Sequence, residues 1–583
     1  FSFEPSTSVR LQRHFGFKNA LAFDISNACA GMFTGINIAD GYIKAGLVQR
    51  VLVVSGEYIT HLTLTAQKEI AGRNDNRFAC LTLGDSGAAV LLEASENPNV
   101  GFHAVDMYTL GHFSDYCIAR PTYEKHGGAI MFTDSMKLHT VAIAESVKHF
   151  GHLLMGMKWP REAFNYVIMH QTARTAIQQT ATLINKVFKD KICDKTNMIN
   201  NLESRGNTST TTHFVALWDN IINNRIQPGD NVVFAIQASG ITIGTAPYTF
   251  DELPLRMRRF EKTATAGKRM PAQLPATTRH AGPAMRAGQR RIRIESVGTI
   301  PEGTVVAADA IELVSAAAEN CFACSIHKRE EIDLLIHSGV HRNDFICEPA
   351  IAAMIAGRLG VNGKETAADG PKTFAYDVFN GAIGFLNACY NAIAMIRSRK
   401  FHNVMVVASE VENNANSNKE LLGVKETGSA IILDESTDNV GFGSFIFRYF
   451  TDYIDSFRSQ IGQEEGTSYL KFIRNPEIEN QYLGCIADAV RDLLAREGLT
   501  FEQIKAIFPP QISSEFISHL SDRLKVVKSK FVDVALEGAD LFTSSLPYTL
   551  KSAQEKQLVS HGDIGLIINV GSGIQVGCAI YYF

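Results

Sequence analysis

The chain repeats itself, and that repeat constrains its fold more than any other feature of the sequence. Ala22-Phe23-Asp24-Ile25-Ser26-Asn27 returns as Ala375-Tyr376-Asp377-Val378-Phe379-Asn380, and after each a glycine, Gly31 or Gly384, opens a helical run. Val51-Leu52-Val53-Val54-Ser55-Gly56-Glu57 matches Val404-Met405-Val406-Val407-Ala408-Ser409-Glu410. Leu83-Gly84-Asp85-Ser86-Gly87-Ala88-Ala89-Val90-Leu91 matches Glu426-Thr427-Gly428-Ser429-Ala430-Ile431-Ile432-Leu433. Late in each copy, Ala238-Ser239-Gly240-Ile241-Thr242-Ile243-Gly244 answers Gly571-Ser572-Gly573-Ile574-Gln575-Val576-Gly577. The offset falls from 353 (22 to 375) to 333 (238 to 571), as insertions and deletions produce. The chain is a tandem duplication over 1–261 and 291–583.

Within each copy, short β-branched runs alternate with longer helical patterns, which implies α/β layers around a buried, largely parallel sheet. Val51 to Ser55 is expected to be a buried strand, with Ile38 to Ala45 in the helix before it. Between the copies, Lys262 to Arg290 holds six basic residues, no acidic ones, three prolines and seven alanines, and no Ile, Val, Phe, Tyr or Trp. Such a segment has little apolar surface to bury and is expected to be a flexible linker. The copies also begin differently. Arg291 to Asp344 precede Phe345-Ile346-Cys347-Glu348-Pro349, whereas its counterpart Phe1-Ser2-Phe3-Glu4-Pro5 opens the sequence, which has no initial Met. The expectation is that opening strands and a helix of the first copy are omitted from this sequence, with separate supply as the alternative.

Composition narrows the function. With 56 Lys+Arg against 60 Asp+Glu and a net charge of -4, the chain lacks the basic excess of a nucleic-acid binder. It has no unbroken apolar run long enough to span a membrane, and its first residues show neither a basic start nor an apolar signal core, so a cytoplasmic protein is expected. Ten cysteines are too sparse for a disulfide framework. Cys321 and Cys324 form a C-x-x-C with His327 nearby, but no second pair completes a zinc set. The run Ala308 to Ile326 reads as an amphipathic helix with core thiols, and no metal site is expected.

Three residues stand where chemistry is expected. Cys29, in Asn27-Ala28-Cys29-Ala30-Gly31, lies between a strand (Ala20 to Ile25) and a helix from about Ala30 to Ala45. A helix N-terminus lowers a thiol pKa, and a thiolate is the attacking species in covalent acyl transfer. A small residue packed beneath a helix is the plainer reading. His170 ends the apolar strand Tyr166 to Met169, before a helix starting near Thr172. Asn207 lies in Ser204-Arg205-Gly206-Asn207-Thr208-Ser209, a turn before a helix over His213 to Asn224. Singly, the last two are ordinary structural residues.

Their order and contexts together resemble β-ketoacyl-acyl-carrier-protein synthase III, a family of the thiolase superfamily, over Pro5 to about Phe250 and, for the fold, over Arg291 to Phe583. The resemblance implies a layered α-β-α-β-α fold in each copy. It also implies acylation of Cys29 by an acyl thioester, then decarboxylative condensation with a malonyl-type thioester whose carbonyl is held by His170 and Asn207. The backbone N–H groups of Cys29 and Gly240 would form the oxyanion hole. Arg174 and Lys186 are weaker candidates for meeting CoA or a phosphopantetheinyl acyl carrier protein, because a solvated helix face explains both. No permanently bound cofactor is implied. In the second copy the counterparts are Ala382 for Cys29, Pro510 for His170 and Asp540 for Asn207, with Ala539 or Leu541 if a one-residue gap intervenes. Alanine has no nucleophile and proline no side-chain donor, so that copy is degenerate, and the two copies are expected to pair as an intramolecular pseudo-dimer. The condensing reaction would serve fatty-acid, polyketide or alkylquinolone-like biosynthesis. Transfer of the acyl group to an amine or alcohol, and a non-catalytic acyl-binding scaffold, remain as alternatives.

Overall fold

The computed structural model describes residues 2–72, 74–157, 159, 163–263, 278–282, 289–361 and 372–583. In the first copy β1 (Asp24–Ser26) turns into α1 (Gly31–Lys44), and β2 (Arg50–Glu57) pairs antiparallel with β3 (Ser86–Glu93). Next come α2 (Ser135–Gly156), β4 (Tyr166–Met169), α3 (Arg174–Phe188), α4 (Thr212–Ile222), β5 (Asn231–Ala238) and β6 (Thr242–Thr249). The start of α2 is fixed by Asp134, whose carboxylate accepts the Lys137 N–H at 3.2 Å. Strand β5 lies between β4, to which it is parallel, and β6, to which it is antiparallel. Its sequence is apolar on both faces and buried on both, as a central strand under helices requires.

The second copy repeats this plan and is described from β7 (Ile292–Thr299), α5 (Ala310–Cys324) and β8 (Leu334–His337) onward; α6 (Ile351–Leu359) then answers the helix Thr7–Phe15 of the first copy. It continues with β9 (Phe374–Phe379), α7 (Gly384–Arg397), β10 (Val404–Glu410), β11 (Thr427–Glu435) and β12 (Gly441–Tyr449). It closes with β13 (Ile504–Phe508), α8 (Ser545–Glu555), β14 (Ile564–Gly571) and β15 (Gln575–Tyr582). One sheet has the order β7-β11-β10-β8-β9-β1, so its last strand comes from the first copy, with Val378 opposite Ile25. Another has the order β12-β15-β14-β13. Between them lies α7, buried from Gly384 to Ile396; Ile383 and Leu386 reach the backbone of β14 and β15 at Gly571 and Gly577 on one side, and β10 covers the other. A helix apolar on every face belongs in such a position. Helices α1 and α7 meet across the copies, where the Tyr42 hydroxyl donates to Asn391 Oδ1 at 2.6 Å and Lys400 Nζ lies 2.7 Å from Asp40 Oδ2.

Two expectations change. Val51 to Ser55 is a strand but not a buried one: Leu52 and Val54 are 42% and 43% exposed. Helix α1 covers one face of β2, but among the described residues no helix covers the other, whereas α5 covers that face of β10 and β11 in the second copy. At Gly428 in β11 a Cβ would stand 2.2 Å from the Leu313 carbonyl oxygen of α5; at Gly87, its counterpart in β3, the nearest atom is Ser55 O at 3.6 Å. The other correction concerns the linker. Much of 262–290 lies outside the described residues, but the helix Leu253–Thr263 runs past the boundary set at 261, and Thr278–Ala281 is a strand on the edge of β12. An edge ladder uses backbone groups alone, so a segment poor in apolar side chains still makes it. Among the described residues no helix is long and apolar enough to cross a membrane, and no group of three His, Cys, Asp or Glu side chains is placed to hold a metal ion.

Candidate functional site

Cys29 lies in the single turn Ala28–Ala30 that links β1 to α1. The turn is held by Asn27, whose buried amide donates to Thr34 Oγ1 at 3.0 Å and accepts from Thr242 Oγ1 at 3.2 Å. The thiol is half-buried, and its Sγ stands 3.8 Å from Ser209 Oγ. Its acidity is the reverse of the expectation from the helix terminus. Burial first, then the charge of Glu348, push the thiol well above its ordinary pKa, with smaller contributions from Cys117 and Glu57 against a Ser209 hydrogen bond that lowers it. A helix dipole contributes typically about 0.3–1 kcal/mol and is outweighed here. The resting group is the thiol, so acylation needs an acceptor for its proton.

His170 follows β4, is buried, and donates its backbone N–H to the Ala235 carbonyl on β5 at 3.2 Å. Burial first, then the neighbouring His213 and His139, push its imidazole down to about 3, so it is neutral near pH 7. Asn207 is clamped by its backbone, with N–H to Thr82 O at 2.8 Å and carbonyl oxygen to Gly84 N at 2.9 Å. Its Oδ1 accepts the Ser209 N–H at 3.0 Å, which orients the amide with its Nδ2 as the group left to donate. Ser209 therefore touches both Asn207 and Cys29. On the other side, Phe33 of α1 packs edge-on against His213, which lies 6.1 Å from His170 ring to ring.

Gly240 stands in the tight turn between β5 and β6 with φ +121°, a conformation that favours glycine, and a Cβ there would come within 3.3 Å of Ala353 on α6 of the second copy. Arg174 opens α3, where it is exposed and pairs with Glu203; Lys186 is exposed on the last turn of the same helix. Twelve residues of helix separate them by about 18 Å and about a third of a turn, so they do not form one anion site.

Sequence reasoning missed Glu348. It belongs to the second copy, just ahead of α6, and receives a 3.4 Å hydrogen bond from Ser239 Oγ in the turn that carries Gly240. Burial, then the charge of Glu57, push its carboxyl up to about 7. The signal was visible, since Glu348-Pro349 is half of the repeated motif that begins with Phe1 and Phe345, but sequence alone does not say that one copy's glutamate faces the other copy's cysteine.

The degenerate counterparts fall into place by hydrogen bonding. Gln171 Nε2 donates to Met169 O and Ile199 O at 2.9 and 3.1 Å; Gln511 Nε2 donates to Pro509 O and Val532 O at the same distances, which aligns His170 with Pro510. Asp540 N–H meets Gly423 O at 2.8 Å and Asp540 Oδ1 accepts the Phe542 N–H at 2.8 Å, so Asp540 takes the place of Asn207 and the alternatives Ala539 and Leu541 fall away. Burial pushes the Asp540 carboxyl up to about 7. Ala382 occupies the position of Cys29, two residues before the helix that begins at Gly384.

Comparison with known proteins adds the following. Residues 23–111 match the family profile described as 3-Oxoacyl-[acyl-carrier-protein (ACP)] synthase III, and residues 155–250 and again 494–583 match that of its C-terminal domain. The curated Beta-ketoacyl-[acyl-carrier-protein] synthase III of Sodalis glossinidius is 26% identical over 249 residues, 42% of this chain and 73% of that protein. That of Pectobacterium atrosepticum is 28% identical over 253 residues, 42% of this chain and 73% of its own length. Among solved structures, 3-oxoacyl-[acyl-carrier-protein] synthase III from Aquifex aeolicus aligns with TM-score 0.42 and 17% identity over 50% of this chain and 100% of its own. An OleA variant from Xanthomonas campestris aligns with TM-score 0.43 and 16% identity over 50% of this chain and 97% of its own.

Proposed function

Because the chain belongs to the 3-oxoacyl-[acyl-carrier-protein] synthase III family, we propose that its first copy condenses an acyl group held on Cys29 with a second thioester. An acyl-CoA or acyl-carrier thioester acylates the Cys29 sulfur, the proton leaves with the departing thiol, and a tetrahedral oxyanion is held by the Cys29 and Gly240 backbone N–H groups. A malonyl-type thioester then binds with its carbonyl oxygen on His170 and Asn207. Loss of CO2 leaves an enolate, whose carbon attacks the acyl-Cys29 and releases a β-ketoacyl product. The observation that carries this reading is the pair of neutral donors: His170 is held uncharged and the Asn207 amide is turned to donate. The thioester brings its own activated carbonyl, so the chemistry calls for no resident cofactor.

The two copies act as an intramolecular pseudo-dimer in this reading, supported by the β9–β1 ladder and by Glu348 reaching the first copy. The degenerate copy buttresses the active one and supplies a wall of its acyl site. In this reading the chain works in the cytoplasm, as its net charge and the absence of a membrane-spanning helix among the described residues allow. Glu348 favours a second reading of the carbanion step. A carboxyl titrating near 7 beside the nucleophile can take an α-proton from a second acyl thioester, giving the same carbon–carbon bond without CO2.

Intact-protein mass after incubation with an acyl-CoA panel tests the first step, with the label expected on Cys29. Malonyl-carrier is then added. CO2 with β-ketoacyl product supports decarboxylative condensation. A β-keto product from the acyl thioester alone supports Glu348 as the base. An adduct that passes only to an amine or alcohol overturns both in favour of a transferase, and no adduct overturns every enzymatic reading.

A further inference from the structure

We propose that His213, on the first turn of α4, is a positioning residue that fixes the ring of His170 for the condensation step. The proposal rests on the condensing role given to His170 above. His213 is fully buried, and its Nε2 stands 3.0 Å from the Ala235 carbonyl oxygen, the same oxygen that accepts the His170 backbone N–H at 3.2 Å. A carbonyl only accepts, so His213 Nε2 carries the proton and its Nδ1 is bare. The two imidazoles face each other with centroids 6.1 Å apart and planes 25° from parallel. Both Nδ1 atoms are buried without a protein partner, which leaves Nε2 of His170 as its nitrogen for a substrate.

The duplication supplies the control. The turn Ser209–Thr211 leading into α4 has its copy in Phe542–Ser544 leading into α8, which places Leu546 in the slot of His213. Leu546 is 3% exposed, so a leucine packs this slot in the same local backbone. An imidazole with an unpaired buried nitrogen is the less favourable occupant. It is present in the copy that has His170 and gone from the copy where Pro510 stands instead. Packing alone does not account for His213.

Its physical effect follows from the surroundings. Phe33 and Phe234 wall the ring of His213, and the titratable groups acting on His170 are His213 itself and His139 of α2. A proton on either facing ring places a positive charge beside the other in this apolar pocket, so both remain neutral. The shared Ala235 carbonyl holds the His170 backbone and the His213 ring to one point. His170 then meets the second thioester as an oriented, uncharged donor.

Two variants of the full chain test this. His213→Leu copies the second copy's own solution and is expected to melt near wild type and to acylate Cys29 at a rate within a few-fold. Its single-turnover condensation from the preformed acyl-enzyme should fall by about 10–100-fold with little change in KM, the size expected of a misplaced donor. Its acid limb should move to higher pH, because His170 loses a neighbour that resists its protonation. His213→Gln keeps a donor for Ala235 and should recover part of the rate. Ring-15N histidine NMR, with His170 assigned by its loss in His170→Ala, should show one Nε2–H tautomer in wild type and a mixture in His213→Leu. Unchanged condensation, pH profile and ring signals in His213→Leu overturn the proposal, as does a parallel fall of melting temperature, acylation and condensation. If wild type forms no acyl-Cys29 the proposed function fails, while the NMR comparison, which needs no substrate, still decides the positioning.

Discussion

The two copies share backbone bonding almost atom for atom where their chemistry differs most. Gln171 and Gln511 make the same pair of carbonyl contacts, and Asn207 and Asp540 each lock the N–H two residues on. Yet one copy has Cys29 and His170 where the other has Ala382 and Pro510. The scaffold is built from main-chain and glutamine hydrogen bonds that do not consult the reactive side chains, so those side chains can be lost without loss of fold. Exposure differs at two pairs of matching strands among the described residues. β10 and β11 are enclosed by α5, whereas their counterparts β2 and β3 turn Leu52, Val54 and Leu91 outward.

The largest test of this comparison gives the first copy the second copy's residue. Cys29→Ala should abolish the acyl adduct and lower turnover by on the order of a thousandfold or more, while the melting temperature stays at wild type because Ala382 is tolerated in the same turn. A surviving adduct on another cysteine would show that the nucleophile has been misassigned.

Asn207→Asp makes the next exchange. By analogy with Asp540, pushed up to about 7 by burial, the new carboxyl should donate only when protonated. Condensation should fall by about 100-fold at pH 8, the cost of losing one oriented donor, and recover as pH falls below 7. A flat pH profile would mean that Asn207 does not donate to the substrate.

Glu348→Gln sharpens the link between copies. Removing a negative charge near Cys29 should let the thiol ionise at lower pH, read as the pH dependence of iodoacetamide alkylation. Stability should change as well. The Glu348 carboxyl is raised from 4.5 to about 7 in the folded chain, so its contribution is full at acid pH and is lost as pH rises through about 7. Glutamine has no such loss, and the variant should gain on wild type between pH 5 and pH 8 by on the order of 1–2 kcal/mol. Equal stability differences at both values would place the carboxyl in water rather than at the site. The smallest effect is expected from Cys324→Ser: this exposed thiol at the end of α5 has no part in the site, and adduct, turnover and melting should all match wild type.

Much of the architecture was legible because duplication writes each element twice and the periodicities agree. Cys29, His170 and Asn207 stand out as candidates because each sits in a short motif at a strand or helix end. What escaped was non-local. The acidity of Cys29 is decided by burial and by Glu348, a residue of the other copy, not by the helix that follows it. Thr278–Ala281 joins a sheet through backbone groups that every residue carries, so composition gave no sign of it. His213 was seen only as the start of a helix, and its role emerges when Leu546 is found in the matching slot.

The hydrogen bond from Ser239 to Glu348 has a consequence for how such a molecule behaves at trace levels. In a pair of separate subunits, a group lent by one to the other is present only while the two remain bound, and dilution removes it. Here lender and borrower are one polypeptide, so the effective concentration of Glu348 at Cys29 is set by chain geometry and is independent of how many molecules are in solution. Specific activity per molecule should therefore hold constant on dilution far below the concentrations at which two free chains would part.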